Sequence, residues 1–454
     1  MTMLGLAVRS LRYRTTGFAA SFLAMFLGAV ILMSFASLLD TAAGDGVDAT
    51  SAETLTLMAS VVGGWGLLIV AFAVVSTLSL LAGQRDTEMA LLKSIGATPV
   101  QVGRLIVGEA AVVALVAAAV AIPPAMFGGR LLIGLLRDTG QVAPGVTHRF
   151  GPMAIGIGIG ITFVAATIAA AVTARRATRV SAREAMYAAA VDSPRLSGKR
   201  IAVGSVLVTI GVSCGVLTAT VLKDMGLEGM AVAGQAVILS AIGLAVLAPA
   251  LGRAGIAVLA PALRRLTGVS GYLTVLNIRL RGRQVAGALV PIILFTGIAT
   301  GTLYLQSIEN SAVAASGAGK SADYQNVETL NFVVVGMIAV FAAIMLINTL
   351  VAATFHRRRE FGQQRLVGST PPQVLGMVGV EGAVLTAVGV LFGTLASAAA
   401  IVPYSIARTG SALPDATIGI YLGIVSTAVV LTFAASLGAA GRAIRTPAVQ
   451  AVAA

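Results

Sequence analysis

Residues 85–102 read Arg85-Asp86-Thr87-Glu88-Met89-Ala90-Leu91-Leu92-Lys93-Ser94-Ile95-Gly96-Ala97-Thr98-Pro99-Val100-Gln101-Val102. The pattern returns at 357–374 as Arg357-Arg358-Arg359-Glu360-Phe361-Gly362-Gln363-Gln364-Arg365-Leu366-Val367-Gly368-Ser369-Thr370-Pro371-Pro372-Gln373-Val374. Position 357 follows 85 by 272, and that offset sets Glu88 on Glu360, Gly96 on Gly368 and Thr98 on Thr370. Pro99 falls on Pro371, Gln101 on Gln373, Val102 on Val374 and Glu109 on Glu381, all without a gap. Each copy is a polar island between two long apolar runs. The rest of the chain reads as two membrane bundles that present these islands to one side of a bilayer.

The totals agree. Of 454 residues, 57% are hydrophobic and 11% charged, and the mean hydropathy is +0.95. A water-soluble domain carries roughly 25% charged residues, so lipid is the solvent this chain is built for. A spanning helix needs about 20 apolar residues. The apolar runs are continuous rather than alternating, which favours helices over a closed β-barrel. The 52 glycines suit close helix packing in lipid. The reading is an all-α polytopic membrane protein of about ten transmembrane helices. One cysteine, Cys214, and two histidines, His148 and His356, provide no metal cluster. The net charge of +13 fits membrane topology better than nucleic-acid binding, which would need a basic patch with interleaved aromatics.

In order, residues 1–16 form a short basic amphipathic segment suited to a membrane surface. Spanning helices are expected at about 17–39, 54–82, 105–134, 152–174, 201–222, 230–260, 285–306, 329–355, 373–402 and 416–440. Gly156, Gly158 and Gly160 read as a helix-packing stripe rather than a nucleotide loop, since no strand precedes them. Residues 175–200 and 261–284 are basic linkers, and 307–328 a polar loop. With both termini inside, only Arg130, Arg137, Arg149, Lys223, Lys320 and Arg408 of the 31 basic residues lie outside. That bias supports this threading.

The repeat extends beyond the islands. Arg176-Ala177-Thr178-Arg179 and Ala182, Ala185 match Arg442-Ala443-Ile444-Arg445 and Ala448, Ala451. Helices one to four thus recur as seven to ten in the same orientation, a parallel repeat. The expected organisation is a first four-helix unit at 1–190, a linker with two central helices at 191–270, and a second unit at 271–454.

Each island ends with helix punctuation. Gly96 suits a helix C-terminus. Thr98 can cap the next helix, with Pro99 at its first turn and Gln101 at capping-box spacing. Gly368, Thr370, Pro371 and Gln373 repeat the signals. Each island is therefore a short helix, a tight turn and the start of a spanning helix. A plain interfacial turn needs the glycine and the cap; it does not need the acidic residue, the basic residue and Gln-Val to recur in register. Two copies on one side suggest a partner with its own two-fold repeat.

The pattern Arg-x-x-Glu, then a basic residue, Gly-(small)-Thr-x-x-Gln-Val, resembles the signature loop of FtsX-like permeases, the membrane subunits of MacB-type ABC transporters. The resemblance implies that the loop is a coupling helix that docks on a separate ATPase. It implies contacts from Glu88, Leu91, Lys93, Gly96, Thr98 and Gln101 to one ATPase copy, and from Glu360, Arg365, Gly368, Thr370 and Gln373 to a second. ATP and magnesium would sit in that ATPase, with no cofactor in this chain, and the complex would lie in the bacterial plasma membrane with both termini cytoplasmic. Two units plus two central helices resemble the ten-helix BceB-type arrangement. The large extracellular domain of such proteins has no counterpart, since residues 40–53 and 307–328 are short. In the second island Gln363 and Gln364 replace apolar residues, so the two docking surfaces need not be equivalent.

The implied function is export or membrane extraction of a substrate such as a peptide, an antibiotic or a lipid-like molecule. The alternative is a signal-transmission subunit like cell-division FtsX, to which short outer loops offer little grip. An ion-coupled transporter would place ionisable residues within the spans, and the expected spans hold almost none. A membrane enzyme would need a cluster of catalytic residue types, which does not appear. Residues 314–321, Ala-Ala-Ser-Gly-Ala-Gly-Lys-Ser, nearly match a phosphate-binding loop. That loop requires a preceding strand and its first glycine, and here the position is Ala314.

Overall fold

The computed structural model describes residues 15–60, 63, 96–179, 198–223, 225–316, 327–329, 357–414 and 416–453, with scattered positions between 331 and 350. Most of the described residues are helical, with no strand among them. Eight of their helices are long and apolar enough to cross a membrane. The chain is an all-α polytopic membrane protein. The expected span at 54–82 falls largely outside the described residues, and that at 329–355 is described only at scattered positions.

The chain divides into two compact units, Met1–Val191 and Asp192–Ala454. In the first, α1 (Thr15–Ala42), α2 (Pro99–Asp138) and α3 (Pro152–Arg179) pack on one another. Their core is small: Ala29 and Met33 of α1 against Ala118, Ala121 and Ala125 of α2. Alanine at these positions lets the backbones close up without side-chain entropy loss. Ser34 Oγ donates to the Ala125 carbonyl across the contact at 3.2 Å. The glycine-stripe expectation holds at Gly158, where an added Cβ would lie 2.1 Å from Met33 Cγ. At Gly156 and Gly160 nothing lies within 4 Å.

The second unit contains α4 (Gly198–Thr220), α5 (Gly226–Val246), α6 (Ala248–Leu266), α7 (Gly268–Leu280) and α8 (Gly282–Ala315). It continues with α9 (Arg358–Leu366), α10 (Pro371–Thr409), α11 (Ile418–Ile444) and α12 (Ala448–Ala453). The central helix is α8, which packs on α5, α6, α10 and α11 and is buried along most of its length. It meets α10 backbone to backbone: a Cβ on Gly393 would stand 3.0 Å from the Gly297 nitrogen. Helices α4 and α5 pack on each other and on α10, so both central helices belong to this unit.

Three expectations change. The span expected at 230–260 stops at Val246, and α6 starts anew at Ala248 with Pro249 in its first turn. Proline there has no N–H to continue the α5 ladder. The linker expected at 261–284 is helical, formed by the end of α6 and all of α7. The loop expected at 307–328 begins late, because α8 runs to Ala315. That extension brings Glu309 into a fully buried position, 0% exposed, beside Arg408 of α10. The spans are thus not free of ionisable groups. Hydropathy falls where such residues enter, yet the helix continues because the charges neutralise each other. Ala314 and Ala315 close α8, so a helix and not a strand precedes the phosphate-loop look-alike.

Candidate functional site

The second island is described in full. Helix α9 carries Arg358 to Leu366. Gly368 reverses the chain at φ 108°, a conformation only glycine adopts without strain. Thr370 then caps α10, and its backbone N–H donates to Gln373 Oε1 at 2.8 Å in a capping box. Pro371 opens the helix where no N–H acceptor is needed. Of the first island, Glu88, Leu91 and Lys93 lie outside the described residues. The turn that follows them repeats the second: Gly96 has φ 95°. Thr98 N–H donates to Gln101 Oε1 at 2.9 Å, and Gln101 N–H donates to Thr98 Oγ1 at 3.3 Å. Val102 and Val374, at matching positions, are both 2% exposed and pin each turn to its bundle.

The tip of each turn faces outward. Gly96, Thr98, Gln101, Gly368, Thr370 and Gln373 are exposed. So are three apolar side chains that the residue pattern did not single out: Val100, Leu366 and Val367, the last at 90%. Aliphatic side chains this bare on a capped, rigid turn are suited to burial against a partner protein.

The root of the second island is polar and mostly inward. Arg357 is buried and forms a two-pronged ion pair with Glu381 of α10, Nη2 to Oε1 at 2.9 Å. Asn277 of α7 donates to the same Oε1 at 2.8 Å. The Arg357 guanidinium also lies 5.0 Å over the ring of Phe361. Phe361 in turn packs with Val374, Met377, Val378, Ala440 and Ile444. Arg281, between α7 and α8, pairs with Glu360. Arg365 does not point away from the bundle: its Nη1 donates to the carbonyls of Ile444 and Thr446, both at 2.8 Å. A cation at a helix C-terminus satisfies orphan carbonyls and complements the helix dipole. Arg358 donates to Thr446 Oγ1 from the same helix. Sequence reasoning did not single out Asn277, Arg281 or Glu381 as members of the site, and Arg357 entered only as the first residue of the Arg-x-x-Glu pattern. That pattern and the Glu109–Glu381 register match were the available signals.

A second polar group lies toward the other end of α8 and α10. Arg408 holds Glu309 with Nε and Nη2 at 2.8 Å each, and Tyr404 donates its hydroxyl to the same carboxylate. In the first unit the corresponding end is held without a buried ion pair among the described residues. Asp40 accepts three backbone N–H bonds, from Gly151, Met153 and Ala154, at the start of α3. His148 Nε2 lies 3.1 Å from Ser37 Oγ. No cluster of metal-ligating side chains is found among the described residues.

Comparison with protein families matches residues 60–182 and 332–448, together more than half of the chain, to a family described as FtsX-like permease C-terminal. Position 332 follows 60 by 272, the offset that relates the two islands. A search of curated proteins returns no match.

Proposed function

We propose, because the chain belongs to the FtsX-like permease family, that it is the membrane subunit of an ATP-driven transporter of the MacB type. The ATPase is a separate chain that binds ATP and magnesium. The complex works in the bacterial plasma membrane with both termini of this chain cytoplasmic. Two ATPase copies engage the two islands, and one permease chain supplies both.

The observation that carries this reading is the repeated turn. Gly96 and Gly368, both at positive φ, each precede a threonine that caps the next helix, with exposed flanks. A turn built twice on the same plan, rigid at its root and apolar at its tip, is suited to receive a push from a duplicated partner. Glu88, Leu91, Lys93, Gly96, Thr98 and Gln101 face one ATPase copy in this proposal, and Gly368, Thr370 and Gln373 the other. Leu366 and Val367 add an apolar contact at the second tip. Glu360 and Arg365, expected on the same surface, have partners inside the bundle. The substrate is an amphipathic molecule taken from or through the bilayer. Transport is favoured over signalling because few residues separate α1 from the helix that begins at 49, which leaves no room for a grip on an outer partner.

The test is co-purification with a MacB-type ATPase, sought first in the gene that neighbours this one. The two should isolate together from detergent, and a Val100→Glu/Val367→Glu variant should lose the ATPase while eluting as a folded monodisperse protein. Full retention of the ATPase by that variant would remove the two turns as the docking site.

A further inference from the structure

The short helix α9 is joined to α10 through Val367, Gly368, Ser369 and Thr370, with Gly368 turning the chain at positive φ. A push at the tip would be absorbed there if the covalent chain were the sole connection. It is not. Glu360, in the first turn of α9, pairs with Arg281, 79 positions earlier. Arg281 sits where α7 ends and α8 begins, at φ −115° and ψ 39°, outside the helical region. It is thus the foot of the most buried helix of the unit. Arg357 to Glu381, with Asn277, adds a parallel tie from α9 to α7 and α10.

We infer that Glu360 and Arg281 form a positioning pair that passes displacement of α9 to the foot of α8, so that Glu360 serves transmission inside the chain. This rests on the proposed docking of an ATPase at the turn. The pair suits transmission better than stability. The Glu360 side chain is 45% exposed and that of Arg281 17%, and an ion pair open to water on one side adds less to folding than a fully buried one. Its geometric consequence is large, because it bridges an element that meets the partner and an element that does not. The same register gives Glu88 of the first island the matching position.

The experiment uses the full permease–ATPase complex in lipid nanodiscs. Cys214 is replaced by serine, and spin labels are placed at Ala315→Cys on α8 and Thr220→Cys on α4. The label distance is measured without nucleotide and with magnesium ATP plus vanadate. The parent complex is expected to show a nucleotide-dependent distance change. Glu360→Gln and Arg281→Gln should keep the ATPase bound and the melting temperature near that of the parent, and lose more than half of that change. The charge swap Arg281→Glu/Glu360→Arg should restore it in part, since a cation at 360 also faces Arg357 at 4.0 Å. Three results overturn the inference: single variants that move like the parent, single variants that shed the ATPase (which makes Glu360 a docking residue), or a bound, folded charge swap that does not recover. If the parent chain itself fails to hold the ATPase, the docking proposal falls first and the pair with it.

Discussion

Arg357 and Glu381, 24 positions apart, close a two-pronged ion pair at the root of the second island, with Asn277 as the second residue that donates to the carboxylate. Breaking such a buried pair leaves one charge without compensation, which costs about 3–5 kcal/mol. Glu381→Ala and Arg357→Ala are each expected to lower the melting temperature of the detergent-solubilised protein. Replacing both by methionine should recover much of the loss, since well-packed apolar substitutes avoid the stranded charge. A double variant as unstable as the singles would show that the pair itself, and not the stranded charge, carries the stability.

The same reasoning applies to Glu309, Tyr404 and Arg408. Glu309 is fully buried, so Arg408→Ala is expected to cost about 3–5 kcal/mol. Tyr404→Phe removes one hydrogen bond to a carboxylate that Arg408 still neutralises, and should cost about 1.5–3 kcal/mol. Thermal unfolding of the three proteins under one set of conditions gives the order: wild type, Tyr404→Phe, Arg408→Ala. Reversal of the last two would mean that the hydroxyl outweighs the ion pair.

Gly96 and Gly368 test whether the turns are fixed by backbone or by space. Both have positive φ, and an added Cβ at either meets nothing within 4 Å. The cost of a side chain there is purely conformational, about 1–2 kcal/mol. Gly368→Ala and Gly368→Leu should therefore be destabilised to nearly the same extent, with Gly368→Asn milder. A leucine variant much less stable than the alanine variant would reveal a steric constraint.

His148 sits below the ordinary histidine value, first because burial disfavours its charged form, then because of Arg130; Asp40 opposes the shift. Its remaining neighbours are Ser37, within hydrogen-bond reach, and the Phe150 ring. A base with a depressed folded pKa binds its proton more readily when unfolded. The folded state is then favoured above the unfolded value of about 6.5 and loses stability as pH falls from there through the folded value. The wild type should melt at a lower temperature at acidic than at neutral pH, and His148→Gln should flatten that part of the profile. An equal slope in both proteins would remove His148 as its source.

Several features were legible without coordinates. The apolar runs announce the spanning helices, because a backbone in lipid must bond to itself. The Gly-x-Thr-Pro-x-Gln punctuation announces two capped turns, because these residue types satisfy local backbone demands. The extent of α8 was not legible. A hydropathy window reads Gln306, Glu309 and Asn310 as polar and ends the span. Glu309 stays helical and buried because Arg408, 99 positions later, neutralises it. Likewise Arg365 looked like a surface cation until the end of α11 was placed beside it.

What the sequence by itself determined is the local and the repeated: helices, caps, glycine turns, and the offset of 272 that sets Glu88 on Glu360. These depend on neighbours a few residues away or on direct comparison of two stretches. Only the tertiary structure decided which charges are neutralised within the bundle and which tips are left bare. Arg281 with Glu360, Arg357 with Glu381, and Glu309 with Arg408 are each set by helix packing. The physical reason is that a buried charge is tolerated only with a partner in reach, and reach across three helices is a property of the fold.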